Sequence, residues 1–372
     1  MPSIRLVNVT KRYGKVTAIK NLSLTINDGE YVCVLGPTGS GKTTLLKLIA
    51  GIVKPDSGEI YIDDKLVNNI PAQERNVSYV PQYYALFPHL SIIDNIAFGP
   101  LSKGLSREEA YKVSMQMLEI TRLAHRANSY PQELSGGMQQ RIALARGLAS
   151  GAKILLLDEP LGALDARLRV ELRYKLKEMA VENGLTTIHV THDQEEVMVI
   201  ADRIIVLRDG EIQQEGPPLH IYNEPKSIFV AHFVGGANFF EGFIADKDQY
   251  GSWVQLRNGF LLRVNDASRT VGERVVVMIR EEKTEIIKGI RRREEINLLP
   301  GTIEGISFLG DFISYSVMLD NGDKINSKMP KIIGIDKFKV GERVFARLKP
   351  EDLKIYQYPP QGLYKELEVM WY

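Results

Sequence analysis

The chain predicts an α/β fold over residues 1–234 followed by a mostly β domain over residues 235–372, on three observations. Apolar strand-like runs alternate with amphipathic helical stretches as far as Val234. A glycine-rich turn joins one such run to a helix. After Gly235-Gly236 the texture changes to short β-rich runs broken by Asn-Gly turns. Alternation of the first kind argues for a parallel sheet flanked by helices, and closely spaced short strands argue for a sandwich or barrel.

In the first region the strand candidates are Tyr31–Leu35, Val77–Val80, 154–157, Thr186–Val190 and 204–207. Segment 106–123 carries helical spacing, with charges at Arg107, Glu108, Glu109 and Lys112. Leu164, Leu168, Leu172, Leu176 and Met179 recur at helical intervals and predict a second amphipathic helix.

Composition is that of an ordinary globular protein, long enough at 372 residues for two domains. A formal net charge of +1 gives no field to attract nucleic acid. The run Arg291-Arg292-Arg293 is followed at once by Glu294 and Glu295 and reads as a solvated loop. A single cysteine, Cys33, lies in an apolar strand and is expected in the core. No stretch approaches the roughly twenty apolar residues that cross a bilayer, and no signal pattern opens the chain. A cytoplasmic chain that meets a membrane only through a partner is expected.

The chemistry begins at Gly36-Pro37-Thr38-Gly39-Ser40-Gly41-Lys42-Thr43, between the run Tyr31–Leu35 and a helix opening at Thr44. Glycines let consecutive N–H groups approach phosphate oxygens, and the helix turns its positive end to the same charge. Such a loop fits a nucleoside triphosphate, with Lys42 neutralising the terminal phosphates and Thr43 placed to ligate magnesium. Run 154–157 ends in Asp158-Glu159, two carboxylates at the carboxyl end of a buried strand, where open parallel sheets bind ligands. Asp158 suits magnesium, directly or through water, and Glu159 suits the water that attacks the terminal phosphate. Ser135-Gly136-Gly137 precedes another helical run. Ser135 reads either as an ordinary N-cap or, with the glycines, as a second anion-binding helix end.

In the second region Val271-Gly272-Glu273-Arg274-Val275 recurs as Val340-Gly341-Glu342-Arg343-Val344. Each copy reaches a basic residue at the same offset, Arg280 or Lys349, with Glu282 matching Glu351, and each has an upstream hairpin signal, Asn258-Gly259 or Asn321-Gly322. An internal duplication into two small β-barrels is expected.

Taken in order, Gly36–Thr43, Leu134-Ser135-Gly136-Gly137-Met138-Gln139-Gln140-Arg141, the strand ending in Asp158-Glu159-Pro160, and Thr191-His192-Asp193 resemble the nucleotide-binding subunit of an ABC transporter. The resemblance implies a phosphate-loop NTPase core with a helical subdomain at about 88–150, binding ATP and Mg2+. It implies a head-to-tail homodimer in which the Lys42 loop of one copy faces the Ser135 helix end of the other. ATP closes this dimer and hydrolysis opens it, because the γ-phosphate makes contacts only in the closed state. By the same resemblance Tyr13 stacks on adenine, Gln82 reaches magnesium and the attacking water, His192 is the switch histidine at the γ-phosphate, and Asp165 couples the two sites. His189 is expected to point elsewhere. Met138 and Gly162 depart from residues frequent in the family, glutamine and serine, and neither departure removes a charged catalytic group.

Tyr83-Tyr84-Ala85-Leu86-Phe87-Pro88-His89-Leu90 is unusually apolar and aromatic for a connection near the surface. It resembles the cleft where importers of the maltose, polyamine and ferric-iron type receive a helix of the membrane permease, with Tyr84, Leu86 and Phe87 lining the dock. Importers of this group carry a C-terminal tandem β-barrel regulatory domain, so the resemblance spans nearly the whole chain. It implies an ATPase at the cytoplasmic face of the cell membrane that energises solute import and meets an extracellular solute-binding protein indirectly. The solute is a polyamine, an iron- or sulfate-type ion, or a sugar. The Phe308-Leu309-Gly310-Asp311 segment leans toward the polyamine, iron or sulfate branch. In the first copy of the repeat, Arg280-Glu281-Glu282 departs from the Arg-Pro-Glu of relatives, which puts its local turn in question. Two other classes compete. A soluble, non-transport ABC ATPase would show two cassettes or a long heptad insertion, and a nucleotide-sensing regulator should have lost Glu159 or His192.

Overall fold

The computed structural model of the protein describes residues 2–289, 296–331 and 338–368. The basic run Arg291-Arg292-Arg293 with Glu294 and Glu295 lies outside the described residues. The chain divides into two units, Met1–Glu224 and Pro225–Val369.

In the first unit β1 (Ile4–Tyr13), β2 (Val16–Ile26), β4 (Ser57–Ile62) and β5 (Lys65–Leu66) form an antiparallel sheet in the order β2-β1-β4-β5. A six-stranded sheet holds β3 (Tyr31–Leu35), β6 (Val77–Val80), β7 (Ile154–Asp158), β8 (Thr186–Val190), β9 (Arg203–Arg208) and β10 (Glu211–Gly216), in the order β10-β9-β3-β8-β7-β6. Strands β9, β3, β8, β7 and β6 run parallel, and β10 is an antiparallel edge. Their unbroken apolar character follows from burial: β3, β7 and β8 are buried along their whole length. The expected strand spans hold to within a residue at either end.

Helix α1 (Lys42–Ala50) shares one apolar core with both sheets: Leu45, Leu46, Leu48 and Ile49 pack with Ile4 and Leu6 of β1 and with Val32, Val34, Ile188 and Val190. Helices α2 (Ile92–Ser102), α3 (Arg107–Ile120) and α4 (Gly136–Ala149) build a separate core on Ile92, Ile96, Leu118, Leu123, Ile142 and Ala145. Ser106 starts α3 with a reciprocal capping box to Glu109, which ends the expected 106–123 helix cleanly at its amino side. Helix α5 (Ala166–Glu182) buries Leu172, Leu176 and Met179; Leu164, read with them in the sequence, precedes the helix and is buried in the turn before it. Helix α6 (Gln194–Ile200) follows β8.

In the second unit β11 (Ala237–Asp248), β12 (Gly251–Leu256), β13 (Leu261–Val264), β14 (Arg274–Arg280), β15 (Thr284–Ile287), β16 (Leu298–Phe308), β17 (Phe312–Leu319), β18 (Lys324–Pro330), β19 (Arg343–Leu348) and β20 (Lys354–Gln357) form two five-stranded sheets. Their orders are β13-β12-β11-β14-β20 and β15-β19-β16-β17-β18, around a shared core that includes Phe240, Val254, Val277, Val317 and Leu348. The two Val-Gly-Glu-Arg-Val copies sit in alike surroundings. Gly272 and Gly341 both have positive φ, and each donates to a strand carbonyl, of Ile244 or of Ile303. A 3-10 turn follows each copy, Glu281–Lys283 and Pro350–Asp352, so the turn forms with glutamate as it does with proline. After these turns the strands exchange sheets: β20 pairs with β14, and β15 pairs with β19. Helix Ile228–Phe233 belongs to this unit, where Ile228 packs with Val276 and Leu363. Among the described residues no helix is long and apolar enough to cross a membrane.

Candidate functional site

Parallel pairing puts the carboxyl ends of β3, β6, β7 and β8 on one edge, and the chain leaves that edge at Gly36, Pro81, Glu159 and Thr191. Four separate loops therefore converge where open α/β sheets bind ligands.

Two glycines of the 36–43 loop are sterically obligatory. A Cβ at Gly36 would lie 2.2 Å from the Leu207 carbonyl oxygen. Gly41, the residue before α1, has φ of 105°, and a Cβ there would lie 2.3 Å from the Ala18 carbonyl oxygen. Lys42 is buried and its Nζ donates to the carbonyls of Gly36 (2.7 Å) and Pro37 (2.9 Å), so the loop is wrapped around an ammonium. Burial pulls the Lys42 pKa below the usual lysine range, against the attraction of Glu159 and Asp158. Thr43 Oγ1 donates to Asp158 Oδ1 at 3.2 Å, and Tyr79 Oη donates to Asp158 Oδ2 at 3.2 Å. Burial raises the Asp158 pKa, and the two hydroxyls act against it.

Glu159 stands beside this pair with φ of 51°, a conformation that costs a non-glycine residue about 1–3 kcal/mol and persists only when neighbours enforce it. Its N–H donates to the Val190 carbonyl at 2.8 Å, and its carbonyl accepts from Gln140 Nε2 at 2.9 Å. The carboxylate aimed by this backbone accepts from Gln82 Nε2 at 3.0 Å and lies 3.3 Å from His192 Nδ1. Lys42, Thr43, Gln82, Asp158, Glu159 and His192 thus meet at one edge. Tyr13 lies at the end of β1 in the hairpin with β2, 47% exposed, with Lys11 Nζ 5.5 Å from its ring centre.

Ser135, Gly136 and Gly137 open α4, and Asp165 immediately precedes α5. Ser135 has N-cap backbone angles at the start of α4, yet its side chain makes no capping hydrogen bond, and it is exposed. The ordinary capping reading of Ser135 therefore does not hold, and its hydroxyl is available at a helix amino end. A Cβ at Gly137 would lie 2.9 Å from the Ala163 carbonyl oxygen, so glycine lets α4 close on the turn before α5. Asp165 caps α5 by accepting from Leu168 N at 3.0 Å. Met138 packs against the apolar core of α2–α4, and a Cβ at Gly162 would meet Glu159 only at ordinary contact distance. Neither departure from the common family pattern disturbs the carboxylates.

In the aromatic segment Tyr84 and Ala85 have positive φ, and their carbonyls accept from Arg146 at 3.1 and 2.9 Å. Leu86 packs on the helical core. The Phe87 ring lies 4.7 Å from that of Phe98 and 5.2 Å from the Arg146 guanidinium. Tyr83 is 87% exposed and Phe98 50%, so the free aromatic surface here is theirs. Sequence reasoning passed over Tyr83 in naming the lining, and missed Phe98 because it comes from α2, outside the aromatic segment.

Tyr79 and Gln140 were also not singled out from sequence. Gln140 is buried in α4, and bridges the Glu159 carbonyl and the Ala163 N–H. Its one signal was a polar side chain on the buried face of a helix. A cleft of about 550 Å3 lined by Ile62, Val67, Ile70, Arg75 and Ile154 lies elsewhere, near the amino end of β7, and holds none of these groups.

Comparison with known proteins fits this geometry. The ABC transporter family model matches residues 19–162, and the TOBE domain model matches residues 277–355. The chain is 38% identical over 348 residues to the spermidine/putrescine import ATP-binding protein PotA 2 of Pseudomonas aeruginosa, covering 93% of this chain and 96% of that one. It is 40% identical over 325 residues to PotA of Vibrio parahaemolyticus, covering 87% and 86%. To the Fe(3+) ions import ATP-binding protein FbpC of Fusobacterium nucleatum it is 37% identical over 359 residues, covering 95% and 93%. Among solved structures it resembles the dimeric ABC transporter cassette MJ0796, at TM-score 0.55 and 38% identity over 58% of this chain and 98% of that one. The same cassette is known in a dimeric post-hydrolysis state bound to ADP and Pi.

Proposed function

This chain belongs to the ATP-binding subunits of ABC importers, which hydrolyse ATP to drive solute import, and from that premise we propose how its residues divide the work. The observation that carries the proposal is the convergence of Lys42, Thr43, Gln82, Asp158, Glu159 and His192 at one sheet edge.

The residues fit a magnesium triphosphate. Among the described residues Ser40 Oγ is buried with no hydrogen-bond partner and Lys42 Nζ bonds only loop carbonyls, which a phosphate oxygen would outcompete by charge. Among the described residues no group of three or more His, Cys, Asp or Glu side chains could hold a metal unaided, which suits Mg2+ shared with substrate phosphates. Thr43, Asp158 and Gln82 would hold it. Bound there, it would neutralise charge on the phosphate oxygens.

The loop 36–44 and the amino end of α1 hold the phosphates of ATP, Lys42 neutralises the terminal ones, and Tyr13 stacks on adenine. Glu159 accepts a proton from water as the water oxygen bonds to the γ-phosphorus and the bond to the ADP oxygen breaks. Gln82 and His192 orient that water and the carboxylate. The exposed Ser135 and Gly136, with the half-buried Gly137, face the phosphates held by a second copy, and Asp165 lies in the turn coupling the two sites; the dimeric cassette MJ0796 supports this assembly. The homodimer sits at the cytoplasmic face of the membrane, meeting permease subunits through Tyr84, Leu86 and Phe87 and, by their exposure, Tyr83 and Phe98. Residues 235–372 act as its regulatory domain, built by duplication. Spermidine or putrescine is the proposed solute, because relatives so named align over most of both chains.

The test is phosphate release from ATP by the purified chain. Activity that requires Mg2+ and is abolished in Lys42→Ala is expected, and hydrolysis indifferent to either would overturn the site. With the permease and binding protein in vesicles, spermidine should stimulate hydrolysis; stimulation by ferric iron alone would reassign the solute. Tyr83→Asp should lower the ratio of stimulated to basal hydrolysis, and an unchanged ratio would move the dock elsewhere.

A further inference from the structure

Beneath the loop that carries His192 lies a buried polar chain that the mechanism above does not use. Tyr31, His189, Thr191 and Glu196 are each no more than 4% exposed. Tyr31 Oη lies 2.9 Å from His189 Nδ1, and His189 Nε2 lies 3.4 Å from Glu196 Oε1. Thr191 Oγ1 donates to Glu196 Oε2 at 2.8 Å and accepts from the Asp193 N–H at 3.1 Å. The Glu196 N–H in turn donates to Asp193 Oδ1 at 3.1 Å. Both neighbours of His192 are therefore tied to one residue, while the His192 side chain is itself 65% exposed.

A carboxyl group buried this deeply costs stability unless its bonds replace those of water. Here one oxygen has Thr191. The other lies 3.4 Å from His189 Nε2, and neither of these two atoms has a hydrogen-bond partner among the described residues, so a proton on one of them would bridge the pair. If Nε2 carries it, Tyr31 donates to Nδ1; if Glu196 carries it, the ring turns its Nδ1–H toward Tyr31. Either arrangement anchors Glu196 to β3, the strand that leads into the Lys42 loop. The other charged or titratable groups facing the pair are Asp193, Arg169 and Arg173, with Asp193 Oδ2 3.4 and 3.9 Å from the two guanidiniums, and Cys33 of β3.

We propose that Glu196 is the positioning residue of His192: it fixes Thr191 and Asp193 on either side, and so sets where the imidazole meets Glu159. The proposal rests on the role given to His192 above. Burial raises the Glu196 pKa to about 7 and lowers that of His189 to about 3, so the glutamate rather than the histidine changes charge near neutrality. Ionised Glu196 grips Thr191 by a charge-assisted bond and neutral Glu196 by a weaker one, so alignment improves as pH rises through that value.

The experiment measures kcat and KM for Mg-ATP, affinity for a fluorescent ATP analogue, and melting temperature on the full chain. Glu196→Ala should lower kcat on the order of 10- to 100-fold, the scale of a small misplacement at a reacting centre, with KM and analogue affinity within about twofold. Thr191→Val cuts the same link without emptying the core and should lower kcat similarly, and the double variant should fall no further. Glu196→Gln should exceed Glu196→Ala and hold near the level wild type shows at pH 6, and its kcat should lack the rise between pH 6 and 8 shown by wild type. Additive losses, a kcat that tracks only the folded fraction, or a Glu196→Gln profile superimposable on wild type would overturn the proposal. Absence of Mg-ATP hydrolysis by the wild type would instead overturn the functional reading beneath it.

Discussion

Replacing Glu159 by glutamine removes one charge and almost nothing else. In the structure Oε2 accepts from Gln82 Nε2 at 3.0 Å and Oε1 lies 3.3 Å from His192 Nδ1. The amide oxygen can take the first position and the amide nitrogen can donate to the ring nitrogen at the second, so both contacts survive. The positive φ at this residue is enforced by the backbone bonds to Val190 and Gln140, which the substitution does not touch. What is lost is the proposed base. General-base catalysis contributes about 10²- to 10⁴-fold, and at 1.36 kcal/mol per factor of ten the barrier should rise by roughly 3–5 kcal/mol. ATP affinity should stay within about twofold, because Lys42 and the 36–43 loop are unchanged. Single-turnover phosphate release and gel filtration with Mg-ATP together check this. The expected outcome is slowed chemistry with a nucleotide-bound dimer accumulating, since ATP then closes the interface and nothing reopens it. A rate within threefold of wild type would refute the assignment of Glu159 as the base, and a stalled enzyme that elutes as a monomer would refute the shared-nucleotide dimer.

Three further outcomes follow from distances and burial. Gly36→Ala sets a Cβ 2.2 Å from the Leu207 carbonyl and must displace the phosphate loop, so ATP-analogue affinity should fall at least about tenfold, or about 1.4 kcal/mol, in a binding titration. Asn95 is fully buried and bonds Phe87 at both N–H and carbonyl and the carbonyls of Leu90 and Ser91; Asn95→Ala leaves those groups unpaired and should cost about 2–4 kcal/mol, read as a melting temperature lower by roughly 5–12 °C. The folded-state pKa of Glu196 is raised from the ordinary 4.5 to about 7, so the unfolded chain releases its proton first and native stability falls as pH rises through that window, then levels off. Glu196→Gln cannot ionise, and its melting temperature relative to wild type should be more favourable at pH 8 than at pH 5; the opposite order, by scanning calorimetry, would show that the carboxylate is stabilised where it lies.

Legibility tracked how local the physics was. The strands of the large sheet were legible because burial on both faces demands unbroken apolar runs, and the phosphate loop because its glycines answer to steric contacts with Leu207 and Ala18 that no other residue survives. Asp158 was legible because its strand places it at the sheet edge. Tyr79 was not: its hydroxyl reaches Asp158 only because β6 pairs beside β7, a register that appears in neither segment alone. Ser135 leaves two readings open in sequence, and the structure removes one, since its backbone is that of an N-cap while its side chain declines the capping bond. Residues 281–283 show the limit of analogy. The first copy lacks the proline of the second, yet the turn forms, because proline prepays a backbone conformation that glutamate can also adopt.

The groups that sequence motifs do not mark are those that join the motifs to one another. Gln140 of α4 holds the Glu159 carbonyl and the Ala163 N–H, so the helix that begins at Ser135 grips the backbone of the proposed base. Arg169 of α5 donates to the Leu164 carbonyl at 3.0 Å and lies 3.4 Å from Asp193, so the turn holding Asp165 is bonded to the loop holding His192. A second copy pressing on Ser135 or Asp165 would therefore act on rigid links, through atoms already in contact, toward Glu159 and His192. If the dimer forms as proposed, closure and chemistry are coupled by two side chains, and Arg169→Ala should weaken that coupling while leaving every phosphate ligand in place. Such links depend on three-dimensional neighbours, which explains why a motif search finds the parts of this site without finding what connects them.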